Sequence, residues 1–254
     1  MLLIDKLSYR SKLRYVNASE KLMYAVLTLI LCILSHSVRV AALVFVINGI
    51  LTVGKGGIPL SRYIRLLMIP TAFLIAGTAA IVINISKVPM DAFALELGEW
   101  YITGSMAGIY RALELCATAL SAVTCLYFLS LNTVMTDILD ALRKLHFPSL
   151  LIELMLLIYR FIFVLFQTAS AITVSQQARL GNRDFKTRVR SFGAMGSALF
   201  ILALKRSNML YDAMESRCYD GNIRVLTRMQ PARAGEIAVI AAIELILVLV
   251  WICG

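Results

Sequence analysis

The chain has 254 residues, 60% of them hydrophobic and only 16% charged, with a mean hydropathy of +0.81 and a formal net charge of +10. Soluble domains carry about 25% charged residues, so this is not an ordinary soluble fold; its apolar residues come in blocks of membrane-spanning length. A basic excess in such a chain belongs to cytoplasmic loops rather than to nucleic-acid binding.

Met1–Lys21 is basic and partly amphipathic, which places it at the cytoplasmic membrane surface. Leu22–Leu34 and Val38–Val53 are apolar runs joined by the polar turn Ser35-His36-Ser37, the pattern of a helical hairpin. The first run lies behind a long cationic head with no small-residue cleavage pattern, so it reads as a retained span. Gly54-Lys55-Gly56-Gly57-Ile58-Pro59 is a loop by its turn residues. Leu66–Ile85 is the third span, with Pro70 near its start, where proline disrupts least. Ser86–Gly104 sets Asp91, Glu96 and Glu99 against Lys87, with Trp100 and Tyr101 as interfacial anchors. Met106–Leu131 is the fourth span, and Arg111 and Glu114 on its first turns are spaced for an ion pair.

Thr133–Leu145 then reads as an amphipathic helix ending at His146-Phe147-Pro148. Ser149–Arg179 is periodic and very apolar, and at 1.5 Å per residue it runs roughly 45 Å. Glu153, Arg160 and Gln167 recur every seven positions along it as a polar stripe, facing either water or a partner. Phe192–Arg217 repeats the arrangement. Between these helices, Ser175–Ser191 reads SQQARLGNRDFKTRVRS, with Arg179, Arg183, Lys186, Arg188 and Arg190 against the single acid Asp184. Ile237–Cys253 is the last span. Strongly basic segments, five Lys and Arg in Met1–Lys21 and fourteen in Asn132–Glu236, alternate with poorly basic ones. That alternation predicts an N-terminus inside, five spans and a C-terminus outside.

Chemical motifs are sparse. No GxxxxGK[ST] phosphate loop, GxSxG elbow or HExxH pair occurs. Asp220-Gly221 matches the start of a phospholipid-synthesis transferase motif, but the acids that follow it there are missing. Cys32, Cys116 and Cys125 lie in apolar blocks, Cys253 adjoins the C-terminus and only Cys218 lies in a polar stretch. With no CxxC spacing, and only His36 and His146, neither a disulfide framework nor a metal site is supported. Glu114 and Glu244 lie near span ends, as snorkelling or locally paired acids or as ion relays. No catalytic residue and no cofactor are assigned.

What remains is two helix ends finishing on an arginine, Gln177-Ala178-Arg179-Leu180-Gly181 and Glu215-Ser216-Arg217-Cys218-Tyr219-Asp220-Gly221. Each is followed by a glycine able to stop the helix. An arginine there is favourable with the helix dipole; its planar fork is also suited to gripping a carboxylate in a partner's groove. Both readings stand on these residues alone.

These two ends carry a family resemblance. The chain resembles the T component of energy-coupling-factor (ECF) transporters, in the cobalt-transport branch called CbiQ, which is marked by two Ala-Arg-Gly-like motifs. They map onto Ala178-Arg179-Leu180 and Ser216-Arg217-Cys218. IDKLSYRSKLRYVN at Ile4–Asn17, LLIYRFIFVLF at Leu156–Phe166 and LYDAMESRCYDG at Leu210–Gly221 match as well. Two departures stand out: Cys218 and Leu180 occupy positions where the family usually has glycine.

The resemblance implies an all-α polytopic membrane protein with about five transmembrane helices and a cytoplasmic coupling region of long amphipathic helices. It would form one domain, with spans over 1–131, the coupling region over 132–236 and the last span over 237–254. It also implies a non-catalytic, multi-pass subunit of the cell membrane that joins two ATP-binding cassette ATPases to a CbiM-like substrate-binding subunit, with or without a small CbiN-like one. Arg179 and Arg217 would dock the ATPases, the remaining cations would meet lipid head groups or tune the approach, and the cargo would be cobalt ions, with nickel or a vitamin as alternatives because another chain chooses it. A membrane-bound enzyme acting on a lipid or isoprenoid is the alternative, with Asp212, Glu215 and Asp220 as its candidate acids.

Overall fold

The computed structural model describes residues 3–82, 84–86, 93–97, 100–221, 223, 231 and 233–252. After α1 (Leu3–Arg10) and a 3-10 turn at Lys12–Tyr15, the apolar runs fold as α2 (Ala18–Ser35) and α3 (Val38–Ile50). The side chain of Asn17 caps α2 by accepting from the Ser19 N–H at 2.9 Å. His36, left-handed at φ 44, ends it, so the expected hairpin turn is present. The chain continues as α4 (Leu60–Val82), three short strands, α5 (Met106–Asn132), α6 (Met135–Lys144), α7 (Ser149–Ala178), α8 (Phe185–Glu215) and α9 (Ala234–Ile252). The strands β1 (Asn84–Ser86), β2 (Phe93–Leu97) and β3 (Trp100–Gly104) form one antiparallel sheet in the order β1-β3-β2. They are a local interruption in an otherwise all-α fold. The expected acids Asp91 and Glu99, Lys87, the side chains of Glu96, Trp100 and Tyr101, and Cys253 at the end of the last span lie outside the described residues.

Among the described residues, six helical segments are long and apolar enough to cross a membrane: Ala18–Ser35, Val38–Lys55, Leu60–Val82, Met106–Asn132, Ser149–Ala178 and Ala234–Ile252. Five correspond to the expected spans. The sixth is α7, which the sequence reading assigned to the cytoplasmic region. The chain divides into two compact units, Leu2–Ile138 with Arg228–Gly254, and Leu139–Thr227.

In the first unit α5 is the central post: α1, α2, α3 and α4 pack on it, and α9 packs on α2 and α3. Between helices in lipid, apolar burial gives little net drive, so close packing of small groups and interhelical hydrogen bonds hold the bundle. Both are visible at the α3–α5 contact. The Ser121 hydroxyl donates to Ala41 O at 2.6 Å, and Asn48 Nδ2 lies 3.2 Å from Cys125 Sγ and 3.4 Å from Thr124 Oγ1. From α2, the Tyr24 hydroxyl donates to Asn48 Oδ1 at 3.0 Å, while its ring meets Phe128 edge-on. Such bonds contribute about 0.6 kcal/mol each on average, and a connected set fixes helix rotation.

Several local expectations are corrected. The stretch Leu51–Lys55 continues α3 as a π-helical turn closed by the Gly56 N–H donating to Leu51 O, so the loop begins at Gly56 rather than Gly54. Gly56 is required there, because a Cβ would lie 2.4 Å from both Asn132 Oδ1 and Thr52 O. α4 starts at Leu60, not Leu66, which puts Pro70 in its interior. Proline cannot donate to the carbonyl four residues back, and the Tyr127 hydroxyl of α5 instead donates to that orphan, Leu66 O, at 3.1 Å. Glu114 lies 3.8 Å from His36 Nδ1, an ion pair when the imidazole is protonated, and forms no ion pair with Arg111 among the described residues. Glu244 is in the middle of α9, not near its end, and one of its carboxylate oxygens is buried with no hydrogen-bond partner among the described residues. Lys21, expected at the membrane surface, is 3% exposed, and its ammonium donates to Leu13 O at 3.0 Å and Asn132 O at 2.9 Å.

In the second unit α7 and α8 form a hairpin of two long helices. α8 begins at Phe185, earlier than the expected Phe192, so Lys186, Arg188 and Arg190 lie on its first turns instead of in a loop. At the hairpin's turn, Gln176 Nε2 donates to Ser191 O at 2.8 Å and Ser191 Oγ donates to Gly181 O at 2.9 Å. Gly181 fits because it has no Cβ, which would stand 2.8 Å from Gln176 O and 2.9 Å from Ser191 Oγ.

Candidate functional site: two arginine-tipped helix ends

Each of the six expected site residues lies at a helix end, and the two ends are built alike. Ala178 is the last residue of α7, Arg179 is its C-cap and Leu180 is left-handed at φ 58. The Gly181 N–H then reaches back to Gln176 O at 2.7 Å, closing the end. In α8, Ser216 is the C-cap, Arg217 follows and Cys218 is left-handed at φ 57. The Tyr219 N–H reaches back to Met214 O at 3.1 Å. In both, the arginine stands three residues after the accepting carbonyl and immediately before the left-handed residue. Glycine is favoured in that conformation because it lacks a Cβ; here leucine and cysteine adopt it.

Leu180, Arg217 and Cys218 are exposed, as is Arg179. Neither Arg179 nor Arg217 has an ion-pair partner among the described residues. Each guanidinium therefore stands at the negative end of a helix dipole with its fork open to solvent. The structure does not bring the two arginines together. They sit beyond opposite ends of α8, whose 31 residues separate them by roughly 45 Å at 1.5 Å per residue. Of the other cations in Ser175–Ser191, Arg183 pairs with Asp184 at 4.0 Å. Lys186, Arg188 and Arg190 crowd the N-terminal turns of α8, where positive charge opposes the dipole.

Sequence reasoning missed the residues that hold the second end. Glu153, placed in the polar stripe, is 4% exposed and turned inward. Its Oε2 accepts from the Tyr219 hydroxyl and its Oε1 accepts from the Ile223 N–H at 2.9 Å. The hydrogen bond to Glu153 pushes the Tyr219 phenol above its ordinary pKa. Arg143 of α6 donates to Ile223 O at 3.2 Å and lies 3.8 Å from Asp140. Beside Arg217 a groove of about 680 Å³ opens over Leu157, Leu210 and Met214, with Arg160 on its wall. A tyrosine in the polar run after Arg217 was the available signal. Its partner, 66 positions upstream, was not readable.

The helices define a multi-pass α-helical membrane protein with a long α7–α8 hairpin and two like arginine-tipped helix ends. The chain belongs to the CbiQ cobalt transport protein family, whose model matches residues 10–229. It is 28% identical to the cobalt transport protein CbiQ of Salmonella typhimurium over 223 residues, 87% of this chain and 99% of that one. A putative fused cobalt transport protein CbiMQ of Methanocorpusculum labreanum is 31% identical over 262 residues, covering 99% of this chain and 41% of that one. The energy-coupling factor transporter transmembrane protein EcfT of Staphylococcus aureus is 28% identical over 235 residues, 86% of this chain and 83% of that one. All three are named as transport components.

Proposed function

We propose that this chain is the energy-coupling transmembrane subunit of an ECF-type importer for cobalt ions, with its N-terminus and the α6–α8 region on the cytoplasmic side. The observation that carries the reading is the repetition of one backbone cap, with an arginine at the same position, at the C-terminal ends of α7 and α8. Two like forks roughly 45 Å apart suit two separate partner molecules better than two contacts on one. Two ATP-binding cassette subunits, each with an acid-lined groove, meet that description. A CbiM-like subunit is the other partner, in keeping with a relative named as a fusion of CbiM and CbiQ. ATP hydrolysis belongs to the ATPases and cobalt binding to the membrane partner, and α7 and α8 carry motion between them. Hydrogen bonds at both ends of this hairpin make it a stiff lever.

Burying a guanidinium against partner carboxylates leaves those carboxylates desolvated and unpaired when it is removed, at a cost of roughly 2–5 kcal/mol. Arg179→Ala and Arg217→Ala are each expected to weaken pull-down of the ATPase pair at least about tenfold and to lower cobalt uptake. Lysine rescues only partly, because it keeps the charge and loses the fork. Arg183→Ala and Arg188→Ala leave both readouts near wild type. Controls that fail as badly as the two cap arginines would reduce the assignment to diffuse electrostatics.

A further inference from the structure

The segment after Arg217 is held by more than its own helix. Two bonds converge on the buried carboxylate of Glu153, one from the Tyr219 hydroxyl and one from the Ile223 N–H. The carbonyl of the same Ile223 is held by Arg143 of α6. Residues from α6, α7 and the chain beyond α8 therefore meet within six positions of Arg217. A carboxylate with both oxygens accepting in a buried setting is a strong fixed point, since charge-assisted bonds are roughly twice as strong as neutral ones. Among the described residues, the first arginine cap has no such carboxylate. It is held by Gln176 and Ser191, neutral groups within the hairpin turn itself.

We propose that Glu153 is the positioning residue for Arg217, pinning Tyr219 and Ile223 to α7 so that Arg217 is presented to its partner in one orientation. The proposal rests on the docking role assigned to Arg217 above. Without Glu153 the Cys218–Tyr219 turn keeps its backbone bond to Met214 but loses its anchor to α7. Arg217 then samples many directions, and force arriving at it is no longer passed to α7 through this contact. Glu153→Gln is a milder change: its amide oxygen still accepts from the Ile223 N–H, and the Tyr219 hydroxyl can rotate to accept from the amide nitrogen.

The test is a set of double-mutant cycles on the full chain in membranes, read by affinity for the purified ATPase pair. Glu153→Ala is expected to weaken binding by roughly three- to tenfold in the wild-type and Arg179→Ala backgrounds, and to have no further effect in the Arg217→Ala background. Glu153→Gln recovers most of the loss, and Tyr219→Phe falls between the two. An equal loss in the Arg217→Ala background means general damage to the hairpin and overturns the positioning role, while the docking role of Arg217 stands. An Arg217→Ala chain that binds like wild type overturns the docking role and the positioning role together.

Discussion

Replacing Cys218 by glycine probes the backbone of the second arginine cap directly. Cys218 stands at φ 57, a left-handed conformation that costs a residue bearing a Cβ about 1–2 kcal/mol. Glycine adopts it freely, but ordering a glycine costs about 0.4–1 kcal/mol more chain entropy. The difference favours Cys218→Gly by roughly 1 kcal/mol, a factor of about five in the equilibrium between the closed and open cap. The Tyr219 N–H, which donates to Met214 O at 3.1 Å, reports on that equilibrium. Its hydrogen exchange, followed by peptide-resolved mass spectrometry on the membrane-embedded chain, is expected to slow about fivefold. Cys218→Ala removes the thiol while keeping the Cβ, and should exchange like wild type. An unchanged rate in the glycine variant, or an equal slowing in the alanine variant, would refute the argument from backbone conformation.

Tyr127→Phe should lower the thermal midpoint of the purified chain, since Leu66 O, left without a helix donor by Pro70, loses the one hydroxyl it has, at a cost of about 1–3 kcal/mol. In a Pro70→Ala background, where a backbone N–H is restored, the same change should cost little, and an undiminished cost there would remove Pro70 from the explanation. For orientation, a cysteine replacing Ser37 should react with an impermeant thiol reagent in intact cells and one replacing Asp184 should not; labelling at Asp184 would overturn the proposed topology.

The spans were legible because their apolar runs are long and because the Ser35-His36-Ser37 turn between the first two is strong punctuation, although α2 begins at Ala18, before the expected Leu22, where Asn17 caps it. The arginine-ending helices were legible as long runs ending on an arginine, although Leu180 and Cys218, rather than the glycines after them, take the left-handed turn that closes each helix. Errors arose where tertiary partners overrode local signals. Gly54 and Lys55 look like a loop but are helical, because a π turn brings Gly56 against Asn132. Pro70 looks like a helix start but lies inside α4, because Tyr127 satisfies the carbonyl it strands. Glu153 fell on a polar stripe with Arg160 and Gln167, and only the folded segment after α8 shows why it faces inward. Leu180 and Cys218, noted as departures from glycine, keep the left-handed turn that glycine favours, which spacing alone could not reveal.

The grip of Lys21 on the end of α5 sets an order of events for the chain as it is made. Lys21 and Asn132 are 111 positions apart, so α2 and α3 leave the ribosome long before the carbonyl that receives the ammonium exists. Until then the ammonium keeps its bond to Leu13 O and is otherwise best kept hydrated at the membrane surface, with the stem in lipid. When α5 enters, its last carbonyls present the negative end of a long helix to that cation, and the ammonium moves from water into the protein. The first hairpin is thus inserted early but finished late. A newly made chain that stops short of Asn132 still displays a hydrated charge where the complete one is sealed.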